Sequence, residues 1–527
     1  MKQFSQLLEN LLFSPRRNDK LAHLVSWLKT ASGDSRGFGV AAITGDLNLP
    51  HVKGKMIRDL ASSATDEVLF ALSYDFVGDL AETVSLLWPK SEVPLNSEFS
   101  IEDIVSQLQK ASRKEAEHYM RHWLDHMPQT QKWALLKMAT GGLRVGVSAR
   151  LMRLAIAEAF DAAIEEIEEV WPLILPPYHD LFDWLEGHSE RPNAEGRSVF
   201  RPLMLAHPLE EVDRQKYELS HFHIEWKWDG ARVQLAASEE GVKLFSRSGD
   251  DISAAFPELV QPLGWQGVLD GELLAGTPEC LGSFNDLQQR LNRKGASKSQ
   301  IAKQPVFMRC YDILQTGQTD VRDLPLKERK PILQDVVADL PQTYFDLSEG
   351  VEAKGWDDLT LLRDQCRDNP LIEGVMLKDK NGPYQLGRIK GQWFKWKRDP
   401  FEADLVVLYA QRGHGKRSSL YSDFTLAAWA DTDTGQVLVP VAKAYSGFTD
   451  VELRKLDKFV RDHTTQKFGP VREVEPKLVV QIAFDSIHRS PRHKSGVAMR
   501  FPRFHAIRWD KDCEDAAHLS ELEHLVT

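Results

Sequence analysis

The sequence is poor in cysteine and has no cysteine pair at metal-binding spacing. Four cysteines occur among 527 residues, and no two form the Cys-x-x-Cys pair on which structural zinc sites are built. Isolated thiols are typical of a reducing compartment and provide no disulfide framework. We therefore expect neither a zinc module nor disulfides, and we expect core or surface positions for Cys280, Cys310, Cys366 and Cys513.

Long hydrophobic runs are also lacking. No stretch reaches the roughly 18 consecutive apolar residues of a membrane span. The N-terminus has no uninterrupted apolar segment and no small-residue cleavage site of the kind that a secretory signal carries. Instead, Phe4, Leu7, Leu8 and Leu11 recur at helix spacing and predict an amphipathic helix. These patterns predict a cytoplasmic protein without a membrane partner.

One window of the chain contains no acidic residue. The whole chain has a formal net charge of −11 and an isoelectric point near 5.9, which alone argues against a nucleic-acid partner. Between residues 486 and 509, however, there is no Asp or Glu, and six Lys or Arg residues and three histidines interleave with aromatic residues. Because phosphate binding depends on local charge and not on the sum, this window keeps a nucleic-acid partner open.

Composition and periodicity divide the chain into three regions. Residues 1–195 carry helical spacing and end in a polar, proline-containing linker. Residues 200–400 mix strand-like and helical patterns, with helices expected near 326–340 and 359–366, and so predict an α+β domain. Residues 402–527 predict a small barrel of four or five strands, with candidates at 403–409, 424–429, 437–442 and 478–484.

Two further helices are expected in the first region. Between them lies Thr140-Gly-Gly-Leu-Arg-Val-Gly-Val-Ser148, a glycine-rich break, with Ser148 as the expected N-cap of the second helix. The helices are predicted from apolar residues at Ile101, Ile104, Val105 and Leu108, and at Leu151, Leu154, Ala155 and Ala159.

The sharpest local feature is Glu225-Trp-Lys-Trp-Asp-Gly-Ala-Arg232. A lysine between two tryptophans, in a strand-like segment that runs into Asp-Gly, is a candidate nucleophile. An unperturbed lysine with a pKa of about 10.4 is almost entirely protonated near neutral pH, so a nucleophilic Lys227 needs cationic or apolar neighbours, or a metal, to lower its pKa. Taken alone, four residues of the form Lys-x-Asp-Gly are explained better by an ordinary edge-strand lysine before a turn.

The rest of the chain changes that balance, because it resembles the covalent nucleotidyltransferase superfamily and, within it, the ATP-dependent DNA ligases. The resemblance consists of motifs in the family's order. These are Lys227-Trp-Asp-Gly230, Phe245-Ser-Arg-Ser-Gly249, Leu269-Asp-Gly-Glu272, Cys310-Tyr-Asp-Ile-Leu314, Glu373-Gly-Val-Met376, Trp393-Phe-Lys-Trp-Lys397, Ser490-Pro-Arg-His-Lys-Ser-Gly496, Arg500-Phe-Pro-Arg503 and Arg508-Trp-Asp-Lys511. Ser248 stands where the family pattern has Asn, and Tyr311 where Phe is commoner.

The resemblance implies a fold and a site. The fold is an all-α N-terminal DNA-binding domain (1–195), an α+β, ATP-grasp-like adenylation (nucleotidyltransferase) domain (200–400) and a β-barrel OB-fold domain (402–527). Lys227 becomes adenylated by ATP with Mg²⁺, for which Mn²⁺ substitutes, and Glu373 holds the metal while Glu272 binds the ribose, the metal or both. Tyr311 stacks on adenine and the backbone of Glu225 meets its edge. Arg232, Arg247, Arg388, Lys395 and Lys397 complete the nucleotide site, and the two lysines share one face of a strand.

The resemblance also implies a DNA partner. The barrel closes over the nucleotide and later grips nicked duplex, and Arg500, Arg503, Arg508 and Lys511 are candidate contacts to pyrophosphate or DNA. The Gly141–Ser148 segment resembles a phosphate-binding loop of the helical domain, to which Arg144 adds charge. We expect a monomer that seals nicks in duplex DNA through lysyl-AMP and a DNA-adenylate.

Three alternatives stay open at this point. An RNA ligase or an mRNA-capping guanylyltransferase has the same chemistry, although the helical N-terminal region and Arg500-Phe-Pro-Arg503 favour a DNA ligase. An NAD-dependent ligase would carry a four-cysteine zinc module that these cysteines cannot form. A nick-sensing DNA-binding protein with an inactive transferase core is the non-enzymatic alternative.

Overall fold

A computed structural model describes residues 1–31, 33–89, 99–194, 196–291, 293, 295–369, 371–413, 419–433, 435–490 and 493–526. The chain separates into two compact units. The first comprises Met1–Leu203 with the short segment Ala236–Gly241, and the second comprises Met204–Leu235 and Val242–Thr527. Among the described residues, no helix combines the length and apolar character needed to cross a membrane.

The first unit is built from helices around one apolar core. The predicted amphipathic face of the first helix is confirmed, because Phe4, Leu7, Leu8 and Leu11 are all buried. The helices are α1 (Lys2–Phe13), α2 (Arg17–Thr30), α3 (Gly33–Thr44), α4 (Gly54–Ala64), α5 (Glu67–Val77), α6 (Leu80–Leu87), α7 (Ile101–Lys110), α8 (Arg113–His126), α9 (Gln129–Thr140), α10 (Ala149–Ala159), α11 (Ile164–Val170) and α12 (His179–Leu185).

The predicted glycine-rich break joins α9 to α10. Helix α10 begins after Ser148, whose hydroxyl accepts a hydrogen bond from the backbone N–H of Leu151, as an N-cap does. Helix α9 ends at Gly141 with φ 67°, a left-handed conformation that glycine adopts without steric cost. Arg144 is exposed in this loop and has φ 46°.

The part of the second unit that ends at Lys397 contains two larger sheets and a short strand pair. One sheet has the strand order β10-β8-β6-β4-β5, with β7 beside β6 and β9 beside β8, and the other has the order β2-β13-β11-β3. The strands are β1 (Met204–Leu205), β2 (His207–Pro208), β3 (Phe222–Trp228), β4 (Ala231–Ser238), β5 (Gly241–Ser246), β6 (Gly267–Thr277), β7 (Cys280–Leu281), β8 (Val306–Thr316), β9 (Thr319–Asp320), β10 (Phe345–Leu347), β11 (Ile372–Asp379), β12 (Gly387–Arg388) and β13 (Trp393–Lys397).

Helices flank these sheets, which makes the core α+β as predicted. The two expected helices are present, although the second begins three residues before its predicted start. The helices are α13 (Glu211–Lys216), α14 (Phe284–Leu291), α15 (Lys298–Lys303), α16 (Leu326–Asp339) and α17 (Trp356–Gln365).

The C-terminal region has more strands than predicted. The four expected strands are present, and five others were missed because they are short and carry polar or basic residues without an apolar alternation. The strands are β14 (Phe401–Arg412), β15 (Tyr421–Thr432), β16 (Gly435–Ala444), β17 (Thr464–Phe468), β18 (Val471–Val474), β19 (Val479–Phe484), β20 (Ser486–Arg489), β21 (Val497–Arg500) and β22 (Arg503–Arg508).

The prediction also missed a helix, α18 (Asp450–Asp462), in this strand-rich region. Its signal was present in the sequence, because Thr449 and Glu452 form a capping box before buried Leu453, Leu456 and Val460. A short helix, α19 (Leu519–Glu523), follows the last strand.

One long strand organises the C-terminal sheet. Strand β14 pairs with β15 on one side, and on the other side it pairs with β19 along its first half and with β18 near its end. Strand β22 pairs with β19, and β20 and β21 form a separate antiparallel pair. The described pairings do not include the one that would close a barrel, and the domain boundaries given above stay predictions.

Candidate active site

A cavity of about 550 Å³ opens in the second unit beside strand β3. It collects ten of the sequence-predicted site residues, although they lie far apart along the chain. These are Glu225, Lys227, Arg232, Arg247, Glu272, Tyr311, Glu373, Arg388, Lys395 and Lys397, and Arg500 of the C-terminal region joins them.

The amine of Lys227 lies against a carboxylate. Strands β3 and β11 are antiparallel, with Lys227 opposite Gly374. The carboxylate of Glu373, the residue before Gly374, therefore lies close to the Lys227 amine. Its Oε2 is 2.5 Å from the Lys227 Nζ and 3.2 Å from the Lys397 Nζ. Gly374 allows β11 to pack closely against β13, because at its φ of 145° a Cβ would lie 2.2 Å from the carbonyl oxygen of Trp396.

The charge state of Lys227 corrects the sequence-based expectation. Burial by itself lowers the pKa of Lys227, but the carboxylates of Glu373 and Glu272 outweigh burial, and the net pKa is raised above its usual value. The lysine is therefore a charged ammonium in this arrangement, and its neighbours do not by themselves make it a nucleophile. The expectation considered cationic and apolar neighbours of Lys227 and not the two acids, Glu373 and Glu272, that act on the same amine.

Glu272 differs from Glu373 in having no partner. No hydrogen bond or ion pair of its carboxylate is found within the described part of the chain, whereas Glu373 pairs with two lysines. Burial raises the pKa of Glu272 to about 7, although Lys227 and Arg232 oppose this. An enclosed carboxylate without a partner is costly unless a cation or donor joins it, so this group is a candidate ligand.

The wall opposite Lys227 is held by one buried carboxylate, that of Asp270. Its oxygens accept hydrogen bonds from the Arg232 guanidinium (2.7 and 3.1 Å), the Tyr311 hydroxyl (3.1 Å) and the Tyr384 hydroxyl (2.7 Å). Arg232, predicted to bind nucleotide, therefore already has protein partners and fixes the wall. Sequence reasoning missed Asp270 and Tyr384, although an acid inside the apolar run of β6 was a usable signal.

Three further predicted cations line the cavity. Arg247 and Arg388 are exposed, and no ion pair of either is found among the described residues. Lys395 has a lowered pKa because of burial and the nearby charge of Arg388 and Lys227. Lys395 and Lys397 lie on β13 and both line the cavity, as the strand alternation predicted.

The C-terminal region contributes two arginines near Lys227. The guanidinium of Arg500 binds both oxygens of Asp229 at 2.7 and 2.6 Å and lies 4.1 Å from the ring centre of Phe284. Arg503 pairs with Asp485 at 2.9 Å, and Asp485 also pairs with Lys397 at 3.4 Å. These groups enclose a second cavity of about 240 Å³ next to Glu373.

The other two candidate contacts of the same segment, Arg508 and Lys511, lie elsewhere. Lys511 and Arg508 pair with Asp404 at 2.6 and 3.4 Å, and Arg508 also binds Asp510 at 2.7 Å. Strand β22 separates Arg503 from Arg508 by roughly 17 Å at about 3.3 Å per residue, so the two ends cannot bind the same pyrophosphate. Contact of Arg508 and Lys511 with DNA stays a prediction. Of the Ser490–Gly496 motif, Pro491 and Arg492 lie outside the described residues.

Two family models match the second unit. The model described as ATP dependent DNA ligase domain matches residues 203–397, and the model described as ATP dependent DNA ligase C terminal region matches residues 417–511. A probable DNA ligase of Koribacter versatilis is 30% identical over 100% of this chain and 96% of its own length. The chain belongs to the ATP-dependent DNA ligase family.

Other relatives agree with this assignment. DNA ligase 2 of Methanosarcina acetivorans is 29% identical and aligns over 93% of this ligase and 89% of its own length. The solved structure of Pmar-Lig_PreS3 has 18% identity, covers 96% of this chain and 99% of its own, and superposes with a TM-score of 0.60. That likeness supports the fold, a helical N-terminal region followed by nucleotidyltransferase and C-terminal domains.

The family assignment decides between the alternatives left by the sequence. It confirms an ATP-dependent DNA ligase, an enzyme that acts on DNA. The capping guanylyltransferase, the RNA ligase, the NAD-dependent ligase and the inactive nick sensor are no longer needed to explain the motifs.

Proposed function

We propose that this ligase seals nicks in duplex DNA through a covalent lysyl-AMP on Lys227. The observation that carries the proposal is the placement of the Lys227 amine in a cavity lined by seven other Lys or Arg residues, among them Arg247, Arg388, Lys395 and Lys397, and by three glutamates. A cation-rich wall suits a triphosphate, and a fixed amine suits in-line attack on its α-phosphorus. We assign Arg247, Arg388, Lys395 and Lys397 to the phosphates.

The first step needs a neutral amine. The Lys227 nitrogen forms a bond to the α-phosphorus while the bond to the β-phosphate oxygen breaks, and pyrophosphate leaves. Because the amine begins as an ammonium 2.5 Å from Glu373, it must give up a proton to water before it attacks. Although burial opposes this, Lys227 and Lys397 lower the pKa of Glu373 to about 2, so this carboxylate is too weak a base to hold that proton. Lys395 and Lys397 then face the negative charge on the transferred phosphate.

The residues present fit a divalent metal. No group of three or more His, Cys, Asp or Glu able to hold a metal is found among the described residues, but Mg²⁺ commonly uses one or two carboxylates with substrate phosphates and water. The unpartnered Glu272 and the neighbouring Glu373 supply that donor set. When bound there, the ion would neutralise phosphate charge and draw Glu373 away from the Lys227 ammonium.

The two arginines from the C-terminal region are placed for the leaving group. Arg500 binds Asp229, and the cavity it shares with Arg503 begins beside Glu373 and Lys397. Pyrophosphate leaving from Lys227 would offer Arg500 a stronger anionic partner than Asp229. We assign Arg500 and Arg503 to the orientation of pyrophosphate.

DNA enters in the later steps. The 5′-phosphate of a nick attacks the lysyl-AMP phosphorus, the N–P bond breaks and the amine regains its proton; the 3′-hydroxyl then attacks the activated phosphate and AMP leaves. We assign the C-terminal sheet, with its long shared strand β14, to an OB-fold. We assign the Gly141–Ser148 loop, with exposed Arg144, to the DNA backbone, and we propose that the ligase works as a monomer.

The test follows AMP on the protein. Incubation with ATP labelled at the α-phosphate should label the wild type, and Lys227→Ala should remove the label because no other amine occupies its place. Lys395→Ala is the matched control, since it changes a lysine of the same cavity and should slow labelling without abolishing it. Labelling of Lys227→Ala at the wild-type level would refute the assignment, and sealing of a nicked duplex should require ATP and fail with GTP or NAD.

A further inference from the structure

The loop between α9 and α10 is held at its middle by a lysine from a distant helix. Lys20 lies on α2, and its ammonium donates a hydrogen bond to the backbone carbonyl of Val145. The two ends of the loop are fixed separately, by the left-handed Gly141 that ends α9 and by Ser148, the N-cap of α10. The Lys20 hydrogen bond therefore acts on the part of the loop that neither helix end controls.

Arg144 is the exposed residue of this middle part. Its neighbours Leu143 and Val145 are buried in the core of the helical unit, and no ion pair of the Arg144 guanidinium is found among the described residues. Arg144 has φ 46°, a left-handed conformation that is sterically unfavourable for a residue with a Cβ. Such a conformation persists only where the surrounding structure holds it, and the hydrogen bond from Lys20 to the next residue does so.

Gly146 allows Lys20 to come this close to the loop. Its φ is 69°, and a Cβ at this position would lie 2.5 Å from the Lys20 Nζ. The atom that such a Cβ meets is the end of a flexible side chain, so a larger residue would displace the lysine and leave the helices in place. The lysine and the glycine together form one device that shapes the loop.

We propose that Lys20 is a positioning residue for DNA binding, which holds the Val145 carbonyl so that the adjacent Arg144 is presented to the DNA backbone. The inference rests on the proposed function, because it takes the Gly141–Ser148 loop as a DNA contact. Without Lys20, the middle of the loop must be ordered when DNA binds, and that ordering reduces affinity. Lys20 thus acts through Arg144 and not by its own contact with DNA.

The experiment is a double-mutant cycle on the full-length ligase. Binding to a nicked duplex that lacks the 3′-hydroxyl is followed by fluorescence anisotropy at several salt concentrations. Arg144→Ala should weaken binding by about tenfold and reduce the slope of log Kd against log salt by about 1, as expected for one lost phosphate contact. Lys20→Met should weaken binding by about fivefold. The double variant should match Arg144→Ala in both Kd and slope, because the two changes remove the same contact.

A glycine pair separates the lysine contact from backbone strain. Gly146→Ala displaces the Lys20 ammonium and should weaken nick binding about as much as Lys20→Met, so it carries the test if Lys20→Met does not fold. Gly187→Ala is the matched control, because Gly187 has φ 77° and a Cβ there would meet nothing within 4 Å. It should bind nicks like the wild type, and lysyl-AMP formation should keep its wild-type rate in all of these variants.

Three results would overturn the proposal. Nick binding at the wild-type level in both Lys20→Met and Gly146→Ala would show that the loop does not need the lysine. A double variant about tenfold weaker than Arg144→Ala, with a slope lower by about 1 more, would make Lys20 a phosphate contact itself. Equal losses in Gly146→Ala and Gly187→Ala would leave backbone strain as the cause.

Failure of the proposed function looks different. Nick binding at the wild-type level in Arg144→Ala would remove the loop from the DNA interface, and the positioning role would fall with it. A lysyl-AMP adduct that survives in Lys227→Ala would refute the covalent step and leave the binding results unchanged.

Discussion

The two ends of strand β22 carry the same kind of side chain in different surroundings. At one end, Arg503 and the preceding Arg500 face Asp485 and Asp229 beside the nucleotide cavity. At the other end, Arg508 and the following Lys511 both face Asp404 on strand β14. All four residues belong to one basic segment of the sequence, and the strand divides them.

The comparison shows that charge alone does not define a binding residue. Asp229 follows Lys227 by two residues and lines the second cavity, next to Glu373, so an anion that arrives there competes directly for Arg500. Asp404 lines neither cavity, so a nucleotide or pyrophosphate bound there does not compete for its ion pairs. We propose that the first pair acts on the reaction and that the second stabilises the C-terminal sheet.

The largest effect is expected at Arg500. Arg500→Ala should slow single-turnover formation of lysyl-AMP by about a hundredfold or more, the usual cost of one charged donor at a developing anion. Arg508→Ala, at the other end of the strand, is the matched control and should stay within about threefold of the wild type. The rates are measured by quenched-flow labelling. Similar losses in the two variants would contradict the proposal that the two ends of β22 have different roles.

A smaller, step-specific effect is expected at Arg503. Arg503→Ala should slow lysyl-AMP formation by about tenfold. The effect is smaller than at Arg500 because Arg503 lines the second cavity and not the one that holds Lys227, and because one donor of several is lost. Sealing of a nick that already carries AMP should fall less, because no pyrophosphate is formed in that reaction. The ratio of the two rates is the measurement, and an equal loss in both steps would remove the leaving-group role.

Much of the site could be predicted because its motifs are local. Lys227, Glu373, Lys395 and Lys397 each lie on a strand whose alternation fixes the side that they face. The pKa of Lys227 could not be predicted in the same way, because it depends on how close Glu373 comes across the β3–β11 pair.

Parts of the fold could be predicted from the sequence and others could not. Regular apolar spacing located α1 and α10, whereas the exposed hairpin of β17 and β18 has no such spacing and was missed. The sequence also could not predict that Arg500 and Arg503 lie apart from Arg508 and Lys511. That separation depends on β22 being an extended strand and on the position of Asp404 in β14, which is joined to β22 through β19.

The smallest effect tests the stabilising end of the strand. Asp404→Asn preserves the shape of the side chain but leaves two partly exposed cations without their shared carboxylate, which should cost about 1 kcal/mol and lower the unfolding midpoint of the C-terminal region by about 4 °C. Lysyl-AMP formation should stay at the wild-type rate, since Asp404 is remote from both cavities. Asp510→Asn is the control, because Asp510 is exposed and its ion pair among the described residues is with Arg508, and its midpoint should not shift measurably. A tenfold loss of adenylation in Asp404→Asn would show that the far end of β22 also acts on the reaction.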